Sequence, residues 1–184
     1  MSTALNKKSK KEIVNAILGQ ETVIIFKTFF ESTLEVFSVH NSKKTFENNS
    51  FFEMRDNEKN NYELSLNVYK LIKKINASKT VLISAFILVD RLVSLNREVI
   101  SRNSLSNICK IAVVLTQKFL EDIVYDDESY AYALQMPVKH FAYLETSFLN
   151  LVDYSLFISN KDFYVYCDFL LTSIKNNQKI KESH

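Results

Sequence analysis

The chain of 184 residues contains a single glycine, Gly19, and a single proline, Pro137. Average usage would place roughly a dozen glycines and about nine prolines in a chain of this length. Tight hairpin turns need glycine or a similar residue where the backbone adopts positive φ, so this chain cannot build many of them. The composition therefore predicts an all-α fold.

The scarcity of glycine also excludes several kinds of catalytic site. Glycine-rich phosphate loops, dinucleotide fingerprints and nucleophile elbows all need glycine where the backbone bends sharply. The three histidines, His40, His140 and His184, have no metal-ligand or catalytic-triad spacing, and the cysteines form no paired motif. We therefore expect neither an enzyme nor a cofactor, metal ion or small-molecule substrate.

The length is that of about one domain, long enough to bury a full core. Cys109 and Cys167 lie in apolar helical surroundings and the N-terminus does not resemble a secretory signal, so we expect an intracellular protein, nuclear or cytoplasmic, without a disulfide. The most apolar window, residues 81–95, is shorter than the roughly 20 residues that a bilayer requires. We expect a soluble protein with no membrane partner.

Apolar residues recur at helical spacing along most of the chain and predict seven helices. Residues 81–95 and 103–124 are apolar around most of the helix circumference, so these two helices should be central. The segment 40–61 is polar and rich in Asn, which favours a flexible connection that Phe51, Phe52 and Met54 could pin to the body. The predicted helices are residues 12–39, 64–75, 81–95, 103–124, 126–134, 137–152 and a last one that begins after Ser159.

Several residues are suited to start these helices. Ser78 or Thr80 is expected to cap the helix of residues 81–95, Asp126 or Asp127 the short helix that follows residue 124, and Ser159 the last one. Pro137 suits the first turn of its helix, because a missing N–H costs nothing there.

Two charged residues, Lys118 and Glu145, stand on otherwise apolar helical faces. A charge that leaves water without a partner costs several kcal/mol. Both residues therefore need a partner, either within the chain or on another molecule.

These residues and their neighbours resemble a cyclin box, the five-helix module that binds and activates a protein kinase. Asp90-Arg91 stands where the second helix of a cyclin box carries its Asp-Arg pair, Lys118-Phe119 matches the Lys-Phe that ends the third helix, and Glu145 matches the acidic residue of the fifth. Within the family the chain is most similar to the P-type cyclins, also called U-type in plants, the class related to the yeast phosphate-pathway cyclin. That similarity rests on Lys118 to Asp122, Tyr125, Tyr130-Ala131, Leu144-Glu145 and Phe148-Leu149.

The resemblance covers about residues 62–172 and divides the chain into three parts. It implies a single cyclin box at residues 62–158, preceded by an N-terminal helix and Asn-rich segment at 1–61 and followed by a C-terminal helix and basic tail at 159–184.

The chain departs from the P-type pattern at Leu134-Gln135, where members often have Gly-Gly, and at Phe141-Ala142, where they often have Leu-Asn. We therefore expect the turn before the fifth helix to be made differently, with Pro137 supplying rigidity.

The resemblance implies a regulatory subunit that forms a heterodimer with a cyclin-dependent kinase, in cell-cycle or nutrient-signalling control. Lys118 and Glu145 would lie side by side on the kinase-facing surface and hydrogen-bond backbone groups near the regulatory C helix of the kinase. The apolar anchors would be Phe119, Leu149, Tyr154 and Leu156. Core packing is the alternative for these four, and an internal salt bridge is the alternative for Lys118 and Glu145.

Other charged residues favour structural roles. An adjacent acid and base at the end of a buried helix, Asp90 and Arg91, more often brace a fold than contact a partner. A run of acidic residues at and beyond the end of the predicted third box helix is explained more simply by capping and solvation than by a metal site. A contact between this run and basic residues of the kinase stays open, because negative charge is unfavourable near a helix C-terminus. The acidic run consists of Glu121, Asp122, Asp126, Asp127 and Glu128.

A second function compatible with the same fold is a transcription scaffold that binds DNA or polymerase. Such proteins usually carry two tandem repeats and a basic face, whereas this chain has room for one repeat and a net charge of +2. The basic cluster at Lys7, Lys8, Lys10 and Lys11 is more simply a solvated terminus than a nucleic-acid arm. We expect no nucleic-acid partner.

Overall fold

In a computed structural model of the protein, which describes residues 9–40, 61–96 and 102–182, the chain forms helices joined by turns. These ranges contain no strand, which confirms the all-α prediction, and α3 to α7 supply the five helices expected of the box. The predicted flexible segment with Phe51, Phe52 and Met54 lies outside the described residues. The helices are α1 (Lys10–Leu18), α2 (Thr22–His40), α3 (Asn61–Lys74), α4 (Lys79–Leu95), α5 (Arg102–Leu120), α6 (Asp127–Leu134), α7 (Val138–Leu151) and α8 (Asn160–Glu182).

The prediction of one N-terminal helix at residues 12–39 is wrong, because α1 and the first part of α2 meet at 101°. Glycine is a weak helix former, and Gly19 ends α1 with its N–H bonded to the carbonyl of Asn15. Lys79, at the start of α4, donates from Nζ to the carbonyl of Leu18 at 2.7 Å and so gives the end of α1 a partner. The bend lets α1 pack on α8 while α2 packs on α3, α4 and α8.

The core is built around α4 and α5, which pack against each other. Every residue from Val81 to Val89 is buried, and so is every residue from Ser104 to Gln117 except Lys110. Full burial of a large aliphatic or aromatic side chain stabilises a fold by about 2 kcal/mol. This confirms that the two most apolar helices are the central ones.

The N-terminal helices are attached to this core through aromatic rings. Phe29 of α2 stacks on Phe86 of α4 with the ring centroids 3.7 Å apart, and Phe26 lies beside the same ring at 5.8 Å. All three side chains are buried. Aromatic side chains bury large apolar areas, so these three rings attach α2 firmly to α4.

The end of α5 is tied to the start of α4 by side-chain hydrogen bonds. Ser78 caps α4 by accepting from the N–H of Val81, and Glu121 accepts from the N–H of Ser78 at 3.4 Å. The amide of buried Gln117 donates to Glu121 at 2.7 Å and to the carbonyl of Ile75 at 3.1 Å. Helix α5 ends at Leu120, short of the predicted residue 124, because the next residues include Asp and β-branched side chains that are weak helix formers.

The turn between α6 and α7 lies where P-type cyclins often carry Gly-Gly. Gln135 adopts the left-handed conformation, with φ 58° and ψ 42°, and the N–H of Met136 bonds back to the carbonyl of Ala131 at 3.0 Å. This is the helix-ending geometry that glycine adopts without a Cβ clash. The turn thus keeps a conformation suited to glycine. Pro137 lies at the cap of α7, one position before the first turn that we predicted.

Asp90 and Arg91, near the end of α4, contact their own chain as expected of bracing residues. Asp90 accepts a hydrogen bond from the side chain of Tyr166 on α8, and Arg91 donates to the carbonyls of Ser155 and Phe157. Burial raises the pKa of Asp90 above its ordinary value, although the hydrogen bond from Tyr166 opposes this shift.

Both cysteines, Cys109 and Cys167, are buried and free, in agreement with the prediction of no disulfide. Burial raises the pKa of Cys167 to about 11, which disfavours the reactive thiolate. Within the described residues, no single helix is long and apolar enough to cross a membrane, and only the bent pair of α1 and the start of α2 would reach the required length together.

Replacing Gln135 by glycine should stabilise the protein by about 1 kcal/mol, because a left-handed residue with a Cβ is strained. Urea unfolding would measure the change. The matched control is Lys175→Gly on the exposed face of α8, which should lower stability because glycine is unfavourable inside a helix. Equal destabilisation by both variants would show that Gln135 is not strained.

Replacing Asp90 by asparagine should change how stability depends on pH. Because the pKa of Asp90 is raised in the folded state, its contribution to stability is present below the ordinary value of 3.8 and is lost as the pH rises through the folded value. The uncharged variant should therefore gain stability relative to the parent as the pH rises from 3.8 towards 7. Asp168→Asn, at an exposed position of α8, is the control, and a pH-independent difference for Asp90→Asn would contradict the assignment.

Candidate functional site

Lys118, in the last turn of α5, reaches across to α7 and to the start of α6. Its Nζ lies 2.7 Å from Oε1 of Glu145 and 2.6 Å from Oδ1 of Asp127. The structure therefore brings together the two predicted residues and adds a second carboxylate. The side chains of Lys118 and Glu145 are 25% and 15% exposed, so the charged groups reach solvent at the edge of the bundle.

Aromatic rings lie beneath the ammonium group. Nζ of Lys118 is 5.0 Å from the ring centroid of Phe141 and 5.3 Å from that of Tyr130, distances at which a cation is attracted to a ring face. Burial disfavours the charge on Lys118, but the hydrogen bonds to Asp127 and Glu145 outweigh it and raise the pKa of Lys118. The lysine is therefore charged at neutral pH.

The ion pairs contribute little to folding compared with the apolar core. The Asp127 side chain is 52% exposed, and partly exposed pairs are worth about 1 kcal/mol or less. By contrast, the large aliphatic and aromatic side chains buried in α4 and α5 contribute about 2 kcal/mol each. A substitution of Lys118 or Glu145 can therefore test a binding role without unfolding the protein.

The predicted aromatic anchors are exposed. Phe119 follows Lys118 and is 51% exposed, and Tyr154, in the turn after α7, is 62% exposed. Neither is therefore a core residue. Both rings are therefore accessible to a partner, while their kinase-binding role stays a prediction.

The predicted aliphatic anchors, Leu149 and Leu156, are half-buried and pack against the core. Leu149 lies one helical turn after Glu145 on α7, and its carbonyl accepts from the N–H of Tyr154 at 2.8 Å. The N–H of Leu156 bonds in turn to the carbonyl of Tyr154. Backbone hydrogen bonds thus link Leu149, at the end of α7, to Tyr154 and Leu156 in the turn that follows. The kinase-binding role of these three residues stays a prediction.

The acidic run divides into residues with different partners. Glu121 accepts from Ser78 and Gln117, and Asp126 caps α6 by accepting from the N–H of Ser129. Hydrogen bonds from the hydroxyl and the N–H of Ser129 hold the pKa of Asp126 below its ordinary value. No group of three or more His, Cys, Asp or Glu side chains within the described ranges is arranged to hold a metal ion. The observed contacts favour the capping interpretation for Glu121 and Asp126.

The sequence did not identify Asp127 as the second partner of Lys118. The sequence favours capping or solvation for Asp127, as a member of the acidic run, because Asp at the start of a helix is usually explained that way. The two residues belong to different helices and meet only because the intervening turn brings the start of α6 back towards α5.

Replacing Asp127 by asparagine should lower the pKa of Lys118, because the opposing effect of burial stays while one carboxylate is removed. NMR titration of the lysine side chain would measure it. Asp126→Asn is the control, because Asp126 contacts Ser129 and should leave Lys118 unaffected. An unchanged Lys118 titration in Asp127→Asn would show that the contact is absent in solution.

Comparison with known proteins agrees with this geometry. A family model described as Cyclin matches residues 7–156. The chain is also 31% identical over 124 residues to a Schizosaccharomyces pombe protein named PHO85 cyclin-like protein psl1. That match covers 65% of this chain and 51% of the relative, so the chain spans about half the length of the curated relative it matches.

The similarity to a PHO85 cyclin-like protein supports the resemblance to the P-type class. The family match includes all the helices from α1 to the end of α7, and it ends in the turn that carries Tyr154 and Leu156. On the extent of this match and on the five-helix arrangement around α4 and α5, the chain belongs to the cyclin family.

Proposed function

We propose that this protein is a regulatory subunit that binds and activates a cyclin-dependent protein kinase inside the cell and is not itself an enzyme. The observation that carries the proposal is the contact between Lys118 and Glu145, 2.7 Å apart at the edge of the bundle and followed along the chain by exposed Phe119 and Tyr154. Family membership supports the same conclusion. The similarity to a PHO85 cyclin-like protein supports a P-type cyclin in nutrient or cell-cycle control.

The charged pair is suited to bind backbone groups of a partner. An ammonium group has three donors, and two of those on Lys118 are directed to Asp127 and Glu145, which leaves one for a carbonyl of the kinase. Two carboxylates surround one ammonium, so the cluster carries a formal charge of −1 and favours N–H donors on the partner. This arrangement fixes the orientation of the partner more than it adds affinity.

The apolar anchors would supply most of the affinity. Aromatic and aliphatic residues that become buried at the centre of an interface usually dominate its binding energy. Phe119 and Tyr154 are exposed in the free protein and would lose that exposure on binding, while half-buried Leu149 and Leu156 would complete the surface.

Activation would follow from a shift in the conformation of the kinase. An active kinase needs its strand lysine and its C-helix glutamate in contact, and a surface that binds the inward position of that helix increases the population of the active state. The cyclin would supply this difference in binding energy and leave the chemical step to the kinase.

The alternative of a DNA-binding transcription scaffold gains no support from the site. Six carboxylates lie within four residues of Lys118 or of its two partners in the sequence, and phosphate binding needs a basic surface. These residues are Glu121, Asp122, Asp126, Asp127, Glu128 and Glu145.

The proposal predicts that a recombinant cyclin-dependent kinase from the organism that encodes the chain forms a complex with it. Lys118→Glu and Glu145→Lys should each weaken that complex at least about thirtyfold, because loss of one partner from a buried, hydrogen-bonded charge pair at an interface costs about 2–5 kcal/mol. Isothermal calorimetry against each kinase in turn would measure affinity, and circular dichroism would confirm unchanged helical content.

Matched controls are Lys175→Glu and Asp168→Lys, the same charge changes at exposed positions of α8. They should leave the affinity unchanged. If Lys118→Glu lowers thermal stability but keeps full kinase affinity, the pair is only an internal salt bridge and the assignment fails.

A further inference from the structure

The turn that follows α7, residues 152–157, has an unusual backbone. Asp153 and Tyr154 are consecutive residues in the left-handed region, with φ of 51° and 54°. Residues with a Cβ avoid this region, so two in succession persist only where surrounding contacts enforce them. The strained pair includes Tyr154, one of the predicted anchors.

Backbone hydrogen bonds close the turn on itself. The N–H of Tyr154 bonds to the carbonyl of Leu149 at 2.8 Å, and that of Ser155 bonds to the carbonyl of Val152 at 3.0 Å. These bonds define the shape of the turn, and its residues Val152 and Leu156 pack against the core.

Side chains from the C-terminal end of α4 also bind the backbone of the turn. The guanidinium of Arg91 donates through Nη1 to the carbonyl and hydroxyl of Ser155 and through Nη2 to the carbonyl of Phe157 at 3.1 Å. Asn96, at the cap of α4, donates from Nδ2 to the carbonyl of Leu151 at 2.7 Å. Helix α4 therefore binds the backbone on both sides of Tyr154.

The ring of Tyr154 is 62% exposed in spite of this attachment. The side chains that hold the turn contact only its backbone and a serine hydroxyl, and the aromatic ring is left facing outwards. The structure thus orders the backbone of the turn without using its aromatic side chain for the core.

We propose that Arg91 and Asn96 are positioning residues that order this turn before binding, so that Tyr154 is already oriented for the kinase. A residue that is ordered in the free protein loses less conformational entropy on association, and affinity rises accordingly. This inference rests on the proposed kinase-binding function and extends it to two residues of α4 that act through Tyr154.

Arg91→Lys tests the inference because lysine keeps the charge and the apolar stem but loses the planar group that reaches three acceptors. The affinity for the kinase bound by the parent protein should fall about tenfold. In a Tyr154→Ala background the same substitution should change the affinity less than about twofold, because the side chain that it positions is gone. Ser94→Ala, an exposed change on the same end of α4, is the control and should keep the parent affinity.

A second measurement needs no kinase. Amide hydrogen exchange at Tyr154 and Ser155 should accelerate about tenfold in Arg91→Lys while the amides of α5 keep their protection. Asn96→Ala should likewise accelerate hydrogen exchange at Tyr154 and Ser155 and lower the affinity for the kinase. It serves as the second variant if Arg91→Lys does not fold.

The outcomes separate this inference from the proposed function. Suppose that the parent protein binds a kinase and that Lys118→Glu weakens this binding. If Arg91→Lys then keeps full affinity, or lowers the affinity by the same factor in the parent protein and in Tyr154→Ala, only the positioning role is overturned. Unchanged exchange at Tyr154 in Arg91→Lys would overturn it as well. If no cyclin-dependent kinase binds the parent protein, the proposed function fails and the positioning role fails with it.

Discussion

The burial of α4 against α5 is the interaction on which the rest of the structure depends. These two helices are apolar around most of their circumference, and no single neighbour could cover them. The described helices around them, α2, α3, α7 and α8, each pack on one or both. The positions of the other helices follow from the need to cover this pair.

Three residues with proposed roles, Lys118 at the kinase-binding surface and Arg91 and Asn96 as positioning residues, lie where these two central helices end. Lys118 is in the last turn of α5, and Arg91 and Asn96 are at the end of α4. At its end, a buried helix reaches the surface of the protein. A residue there can have its backbone held by the helix and the tip of its side chain exposed to solvent. Charged residues there contact the edge of the bundle at little cost to the core.

Much of the fold could be predicted because helical periodicity and the near absence of glycine and proline are local properties. The box helices, the caps Ser78 and Asp126, and the pairing of Lys118 with Glu145 were anticipated, the last through a family resemblance. The break after α1 was missed although Gly19 is a local signal for a helix end. Lys79, which binds the carbonyl of Leu18, could not be anticipated because it comes from a distant part of the sequence. The partners Asp127 and Ser155 were missed for the same reason.

The sequence by itself determined the helical class, the two helices that must be central and the need of Lys118 and Glu145 for partners, because these follow from composition, periodicity and the cost of an unpaired charge. Only the tertiary structure decided which groups meet at the helix ends: Asp127 with Lys118, and Arg91 with the turn that carries Tyr154. The physical reason is that such contacts depend on how helices pack and where their turns lead, and neither is encoded in the spacing of residues along one segment.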